Sequence, residues 1–138
     1  MKTIVIIDGQ GGKIGSLIIE KLTAIMTDAE LIAVGTNSIA TSAMLKAGAQ
    51  YGATGENAVV VNCRNADIIV GPIGILAADS LHGELTPVMA AAIGGSSAKK
   101  VLIPLNLDRC NLHVVGINEL TLSEMISDAC GYIKGELK

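Results

Sequence analysis

The sequence predicts an α/β fold: one doubly wound, mostly parallel sheet of Rossmann-like kind, formed as a single domain over residues 1–138. Three observations predict it. Short β-branched runs alternate with amphipathic stretches along the chain. A glycine-rich loop joins the first such run to the first amphipathic stretch. The core-forming residues are almost all Ile, Val, Leu and Ala, with no Phe or Trp and only two Tyr, which suits strands buried on both faces.

Thr3–Ile7 is a β-branched run closed by Asp8 and Gly9, and is predicted as a strand. Gly12–Met26 follows with helical spacing, placing Ile14, Leu17, Ile18, Leu22 and Ile25 on one face. Leu31–Gly35 is the second strand. Thr36-Asn37-Ser38 supplies the cap of a helix to about Ala47, which Gly48 stops. Ala49–Ala53 reads as a short edge strand. Val59-Val60-Val61 is strand-like by propensity, yet only a few residues separate it from the clear strand Asp67–Gly71, and a parallel crossover needs about a dozen or more. Either the two runs form a hairpin, or Gly55–Asn65 is a helix capped by Thr54. The helix preserves the β–α alternation and is the preferred reading. A helical turn or two leads from Gly71-Pro72-Ile73-Gly74 to Ser80. Thr86-Pro87 opens another helix, ending at Gly94-Gly95. Lys100–Pro104 and His113–Gly116 are predicted strands, and Leu120–Ile133 a final amphipathic helix.

Composition excludes several function classes. The net charge is −3 with no run of Lys and Arg, whereas nucleic-acid phosphates call for a basic face. The longest apolar stretch, Ile68–Ala78, is broken by Gly71, Pro72 and Gly74 and is too short to span a bilayer. The start runs directly into a strand, so no targeting segment is expected. Cys63, Cys110 and Cys130 are odd in number and widely spaced, as expected of free thiols in the cytoplasm; with His113 they lack zinc-site spacing, so no metal is expected. Only 17% of the residues are charged. A subunit interface or an apolar cleft would absorb the resulting surface, so a homo-oligomer, most simply a homodimer, is expected. The alternative is a monomer covered by Ala, Gly and Thr.

Asp8-Gly9-Gln10-Gly11-Gly12-Lys13-Ile14-Gly15 carries the most chemical information. Gly9 suits the tight turn, Gly11 or Gly12 lets backbone approach a phosphate, and Gly15 lets the helix lie close to the sheet. The helix start then offers N–H groups and a positive dipole end to an anion. The spacing reads G-x-x-G-x-x-G or G-x-G-x-x-x-G. The first resembles the loop of extended and atypical short-chain dehydrogenases, the second some NADP-linked sites. It is not a Walker loop, since Ile14 stands where Ser or Thr belongs. Gly9, Gln10, Gly11, Gly12, Lys13, Ile14 and Gly15 are therefore candidate cofactor-binding residues for NAD or NADP. A NAD site usually has an acid about 20 residues on, holding the ribose. This chain offers Thr36, Asn37 and Ser38, which could hold a ribose or 2′-phosphate, or simply cap a helix.

Ligands of open α/β sheets lie at the carboxyl ends of the strands, which adds Gly71, Pro72 and Asn106. Asp79, Ser80, His82 and Glu84 follow that rim and are candidate proton-transfer groups; a solvated connection is the plainer reading. Asn106, Asp108, Arg109 and Cys110 form a second rim loop. Tyr-x-x-x-Lys is missing at Tyr51 and Tyr132, and Gly-x-Ser-x-Gly is absent, so neither short-chain dehydrogenase nor serine hydrolase chemistry is supported in its usual form.

The phrases VGTNSIAT, MLKAGA, GATGENA, ADIIVGPIG and GELTP, spread nearly from end to end, resemble a family of small bacterial proteins, common in clostridia, labelled only as a domain of unknown function. The resemblance implies a bacterial cytosolic protein and transfers no activity and no catalytic residue. The functional expectation is a nucleotide- or NAD(P)-binding module, regulatory or oxidoreductase-like, holding a small phosphate-bearing ligand. The alternatives are an enzyme acting on a small phosphorylated or carboxylated metabolite, and a non-catalytic partner subunit.

Overall fold

A computed structural model describes residues 1–137. Five strands, β1 (Lys2–Asp8), β2 (Ala29–Gly35), β3 (Tyr51–Thr54), β4 (Ile68–Pro72) and β5 (Lys99–Ile103), form one sheet in the order β3-β2-β1-β4-β5. Every ladder is parallel. The helices are α1 (Lys13–Ile25), α2 (Ser38–Ala47), α3 (Glu56–Cys63), α4 (Pro87–Gly94) and α5 (Leu122–Glu136). This is the doubly wound, Rossmann-like α/β architecture the alternation predicts.

The central strand shows why. Ile4, Val5, Ile6 and Ile7 are fully buried, because successive side chains of a strand face opposite layers and both layers are covered. Ile4 and Ile6 pack with Ile18, Ile19 and Leu22 of α1, Met44 of α2 and Ile133 of α5. Val5 and Ile7 pack with Val59 of α3, Met89 and Ile93 of α4, and Leu85. Neither tyrosine joins these cores: Tyr51 lies exposed on β3 and Tyr132 on α5.

Gly71 lets β4 lie against β1. A Cβ there would collide with the carbonyl oxygen of Ile7. The chain reverses its strand order between these two neighbours, which makes the carboxyl ends of β1 and β4 the topological switch point.

Three expectations need amendment. Residues 56–63 are helical, as preferred, but the cap is Gly55 at φ 99°, not Thr54. The Thr54 hydroxyl instead pairs with that of Thr41 at 2.7 Å. The connection after Gly74 is a 3-10 turn, Ile73–Leu76. The predicted strand His113–Gly116 does not form; residues 111–121 are exposed throughout. Asn111 and Gly116 adopt left-handed backbone and interrupt the extended run on either side of Val114-Val115, leaving too little for a ladder.

Candidate functional site

The glycine loop is closed from within. Asp8 ends β1 almost fully buried. Its carboxylate accepts the Gly9 amide at 2.8 Å and the Gly15 amide at 2.7 Å. The Gly12 amide donates to the Gly9 carbonyl at 2.9 Å, and the Gln10 amide to Glu84 Oε1 at 2.8 Å. Burial pushes the Asp8 carboxyl above its ordinary value, against the pull of the Gly15, Gly9 and Ile14 amides; the nearby charge of Glu84 adds to the rise. The expectation of an open amide cradle is therefore corrected. The positive start of α1 already faces an anion, supplied by the chain itself.

The glycines have matching packing reasons. Gly12 sits at φ 73°, and a Cβ there would come within 2.8 Å of the Ala40 carbonyl oxygen. A Cβ on Gly15 would strike Met44 Sδ of α2. Ile14 packs against the core. Gly11 alone of the loop glycines faces open space, and Lys13 beside it is exposed.

At the end of β2, Thr36 and Asn37 grip Glu84. The Thr36 hydroxyl donates to Glu84 Oε1 at 2.6 Å and the Asn37 carboxamide to the same oxygen at 2.8 Å. Asn37 also caps α2, accepting the Ala40 amide at 2.9 Å; Ser38 is exposed. Partial burial acts to raise the Glu84 pKa, but the hydrogen bonds from Thr36, Gln10 and Asn37, with nearby His82, hold it below the ordinary glutamate value. Glu84 thus faces the glycine loop.

The segment carrying Glu84 is held in unusual backbone. Asp79, Leu81 and His82 sit at φ 66°, 58° and 56°. Non-glycine residues in this region cost roughly 1–3 kcal/mol each and persist only where surroundings fix them. Buried Leu85, the Asp79 amide to the Leu85 carbonyl at 2.7 Å, and the Ser80 hydroxyl donating to the Gly74 carbonyl do so here.

Beside this loop lies a cleft of about 500 Å3 at the carboxyl ends of β1, β4 and β5. Gln10, Pro72 and Gly74 line one side, Asp79, Ser80, Leu81 and His82 a second, and Leu105, Asn106, Arg109 and Cys110 the third. The four proton-transfer candidates are thus divided: Asp79, Ser80 and His82 line the cleft, whereas Glu84 is turned to the β2 end. Ser80 spends its proton on Gly74. Gly71 is buried as a strand-packing residue and does not line the cleft. Cys63 and Cys130 lie in the cores, where burial pushes both thiols up to about 11. Among the described residues no three His, Cys, Asp or Glu gather as a metal site, and no helix is long and apolar enough to cross a membrane.

Sequence reasoning placed Arg109 and Cys110 on the rim and missed the junction of Glu84 with Gln10, Thr36 and Asn37. Asp8 signals the closed loop, since an acid at the mouth of the first helix competes with any external anion; no local signal points to Glu84.

A crystal structure of a dodecameric FMN-dependent UbiX-like decarboxylase from Escherichia coli O157:H7 is similar in fold, with a TM-score of 0.50 at 18% identity over 99% of this chain and 94% of that one. No curated protein matches the sequence. The model of the domain of unknown function DUF3842 matches residues 3–138, and the chain belongs to that family.

Proposed function

We propose that this protein binds a small phosphate-bearing ligand of nucleotide type in the cleft at the switch point. The observation that carries this is the cleft's position and lining: about 500 Å3 at the ends of β1, β4 and β5, with Arg109, Asn106 and Gln10 at its walls. Ligands of open α/β sheets bind at such a point, and small-molecule sites occupy roughly 300–1,000 Å3. Arg109 supplies a cation and a planar fork of donors suited to phosphate. The decarboxylase of similar fold is FMN-dependent. With Glu84 and Leu81 seated over Gly9, the open half of the crevice suits a mononucleotide better than NAD or NADP laid across the glycine loop.

The same reading covers the setting. Exposed Ile39, Val88 and Val115 support a homo-oligomer, and the decarboxylase of similar fold is dodecameric; light scattering checks this directly. Three free thiols suit a reducing cytosol. A second reading, an enzyme acting on a phosphorylated or carboxylated metabolite, draws on the approach of Asp79 and His82 to the cleft.

The test is thermal unfolding against FMN, AMP, NAD, NADP and sugar phosphates. A ligand at about 100 times its Kd adds about 2.7 kcal/mol, a shift of several degrees. The expected result is a mononucleotide shift abolished by Arg109→Ala. Silence across the panel, or an undiminished shift in Arg109→Ala, overturns the reading and favours a non-catalytic partner subunit.

A further inference from the structure

A second anion site is already occupied, by the protein itself. The Gln10 amide, the Thr36 hydroxyl and the Asn37 carboxamide converge on one oxygen, Glu84 Oε1, at 2.8, 2.6 and 2.8 Å. We propose that these donors form an oxyanion site in which Glu84 is a removable occupant, and that a ligand's phosphate or carboxylate takes its place and releases the Glu84 side chain. This stands apart from the cleft reading: of the three donor residues only Gln10 also borders the cleft.

The donors are fixed independently of their occupant. Thr36 is tied to β1 by its own amide, which donates to the Asp8 carbonyl at 3.0 Å. Asn37 is locked by capping Ala40 and by donating to the Gln10 carbonyl at 3.0 Å. The Gln10 turn is closed by the Gly12 amide on the Gly9 carbonyl. The occupant, by contrast, comes from a loop with three non-glycine residues in left-handed backbone. Release of Glu84 leaves a formed site and removes one set of the contacts made by this strained segment.

Exchange is favoured over addition. Buried Asp8 lies under the same loop, and its charge and that of Glu84 already oppose each other. A further anion beside both would add a third charge, whereas an anion replacing Glu84 adds less repulsion, none at all for a carboxylate. Gly9 makes room for the occupant, since a Cβ there would stand 2.7 Å from Thr36 Oγ1 and 3.0 Å from Glu84 Oε1. Leu81 and His82, chain neighbours of Glu84, line the cleft, so the two sites share one loop.

The test is titration of folded full-length protein with inorganic phosphate and, separately, acetate, followed by the NMR signals of the Gln10 amide and the Asn37 carboxamide. Glu84→Ala is expected to bind phosphate at least about tenfold more tightly than wild type, with both signals moving. Acetate reports whether the site prefers carboxylate or phosphate. Thr36→Val in the Glu84→Ala background removes the gain, whereas Arg109→Ala in that background keeps it, which separates this site from the cleft. Equal binding in wild type and Glu84→Ala, or a gain that survives Thr36→Val, overturns the proposal. Failure of both Glu84→Ala and Glu84→Gln to fold also overturns it, because the carboxylate would then be structural and not exchangeable.

Discussion

The Asp8 carboxylate reaches the Gly15 amide at 2.7 Å, so the residue that ends β1 seals the start of α1. The glycine loop is thereby a structural joint first. Its chemistry toward ligands depends on what remains free around it.

Removing that seal has a defined cost. Asp8→Ala strands the Gly9 and Gly15 amides in a buried turn, and an unsatisfied buried donor costs about 1–3 kcal/mol. Urea unfolding is expected to show a loss of at least that size. A change within about 0.5 kcal/mol, as for an ordinary surface substitution, would contradict the assigned role.

The loop glycines separate packing from ligand approach. Gly15→Ala pushes a methyl group into Met44 and toward the Asp8 Cβ, and overpacking of this kind costs about 1–3 kcal/mol. Gly11→Ala meets nothing within 4 Å and is expected to leave stability within about 0.5 kcal/mol. Paired denaturation curves check the contrast; equal losses would refute it.

Gly71→Ala drives a methyl group against the Ile7 carbonyl, and backbone cannot step aside as a side chain can. The expected loss is about 3 kcal/mol or more, at the upper end for single substitutions. Calorimetry should find a sharply lower Tm or no folded protein. A near-native Tm would mean that β1 and β4 are not held this close.

Acid titration divides the two carboxylates. Glu84 has a folded pKa below its ordinary value near 4.5, so its contribution is complete above that pH and is lost as pH falls through the folded value. Asp8 is raised above its ordinary 3.8, so its contribution is complete below that pH and declines as pH rises through its folded value. Glu84→Gln is therefore expected to flatten the stability profile below pH 4.5. Urea midpoints measured across that range decide it; a profile as steep as wild type would remove Glu84 from the acid response.

Much of the frame was legible in the residues. Thr3–Ile7 and Leu31–Gly35 read as strands and form them, and Thr86-Pro87 opens α4 as its chemistry requires: the Thr86 hydroxyl accepts the Met89 amide at 3.1 Å. Local pattern failed at His113–Gly116, where β propensity met left-handed backbone on both sides. It also failed at the site. Glu84 and Gln10 are 74 positions apart and Glu84 and Thr36 are 48 apart; no periodicity encodes such a meeting. Gly12 reads as ligand space and Gly15 as helix-to-sheet space, whereas both are contact space between α1 and α2, a distinction that only the partner residues Ala40 and Met44 reveal.

A core without aromatic rings has a practical consequence for spectroscopy. With no Trp or Phe in the chain and both tyrosines at the periphery, tertiary unfolding leaves almost no trace in near-ultraviolet dichroism or intrinsic emission. The same transparency turns to advantage with a flavin or purine added. Its absorption, and a flavin's fluorescence, stand on a nearly dark background, so occupancy can be followed directly by difference spectra without any label.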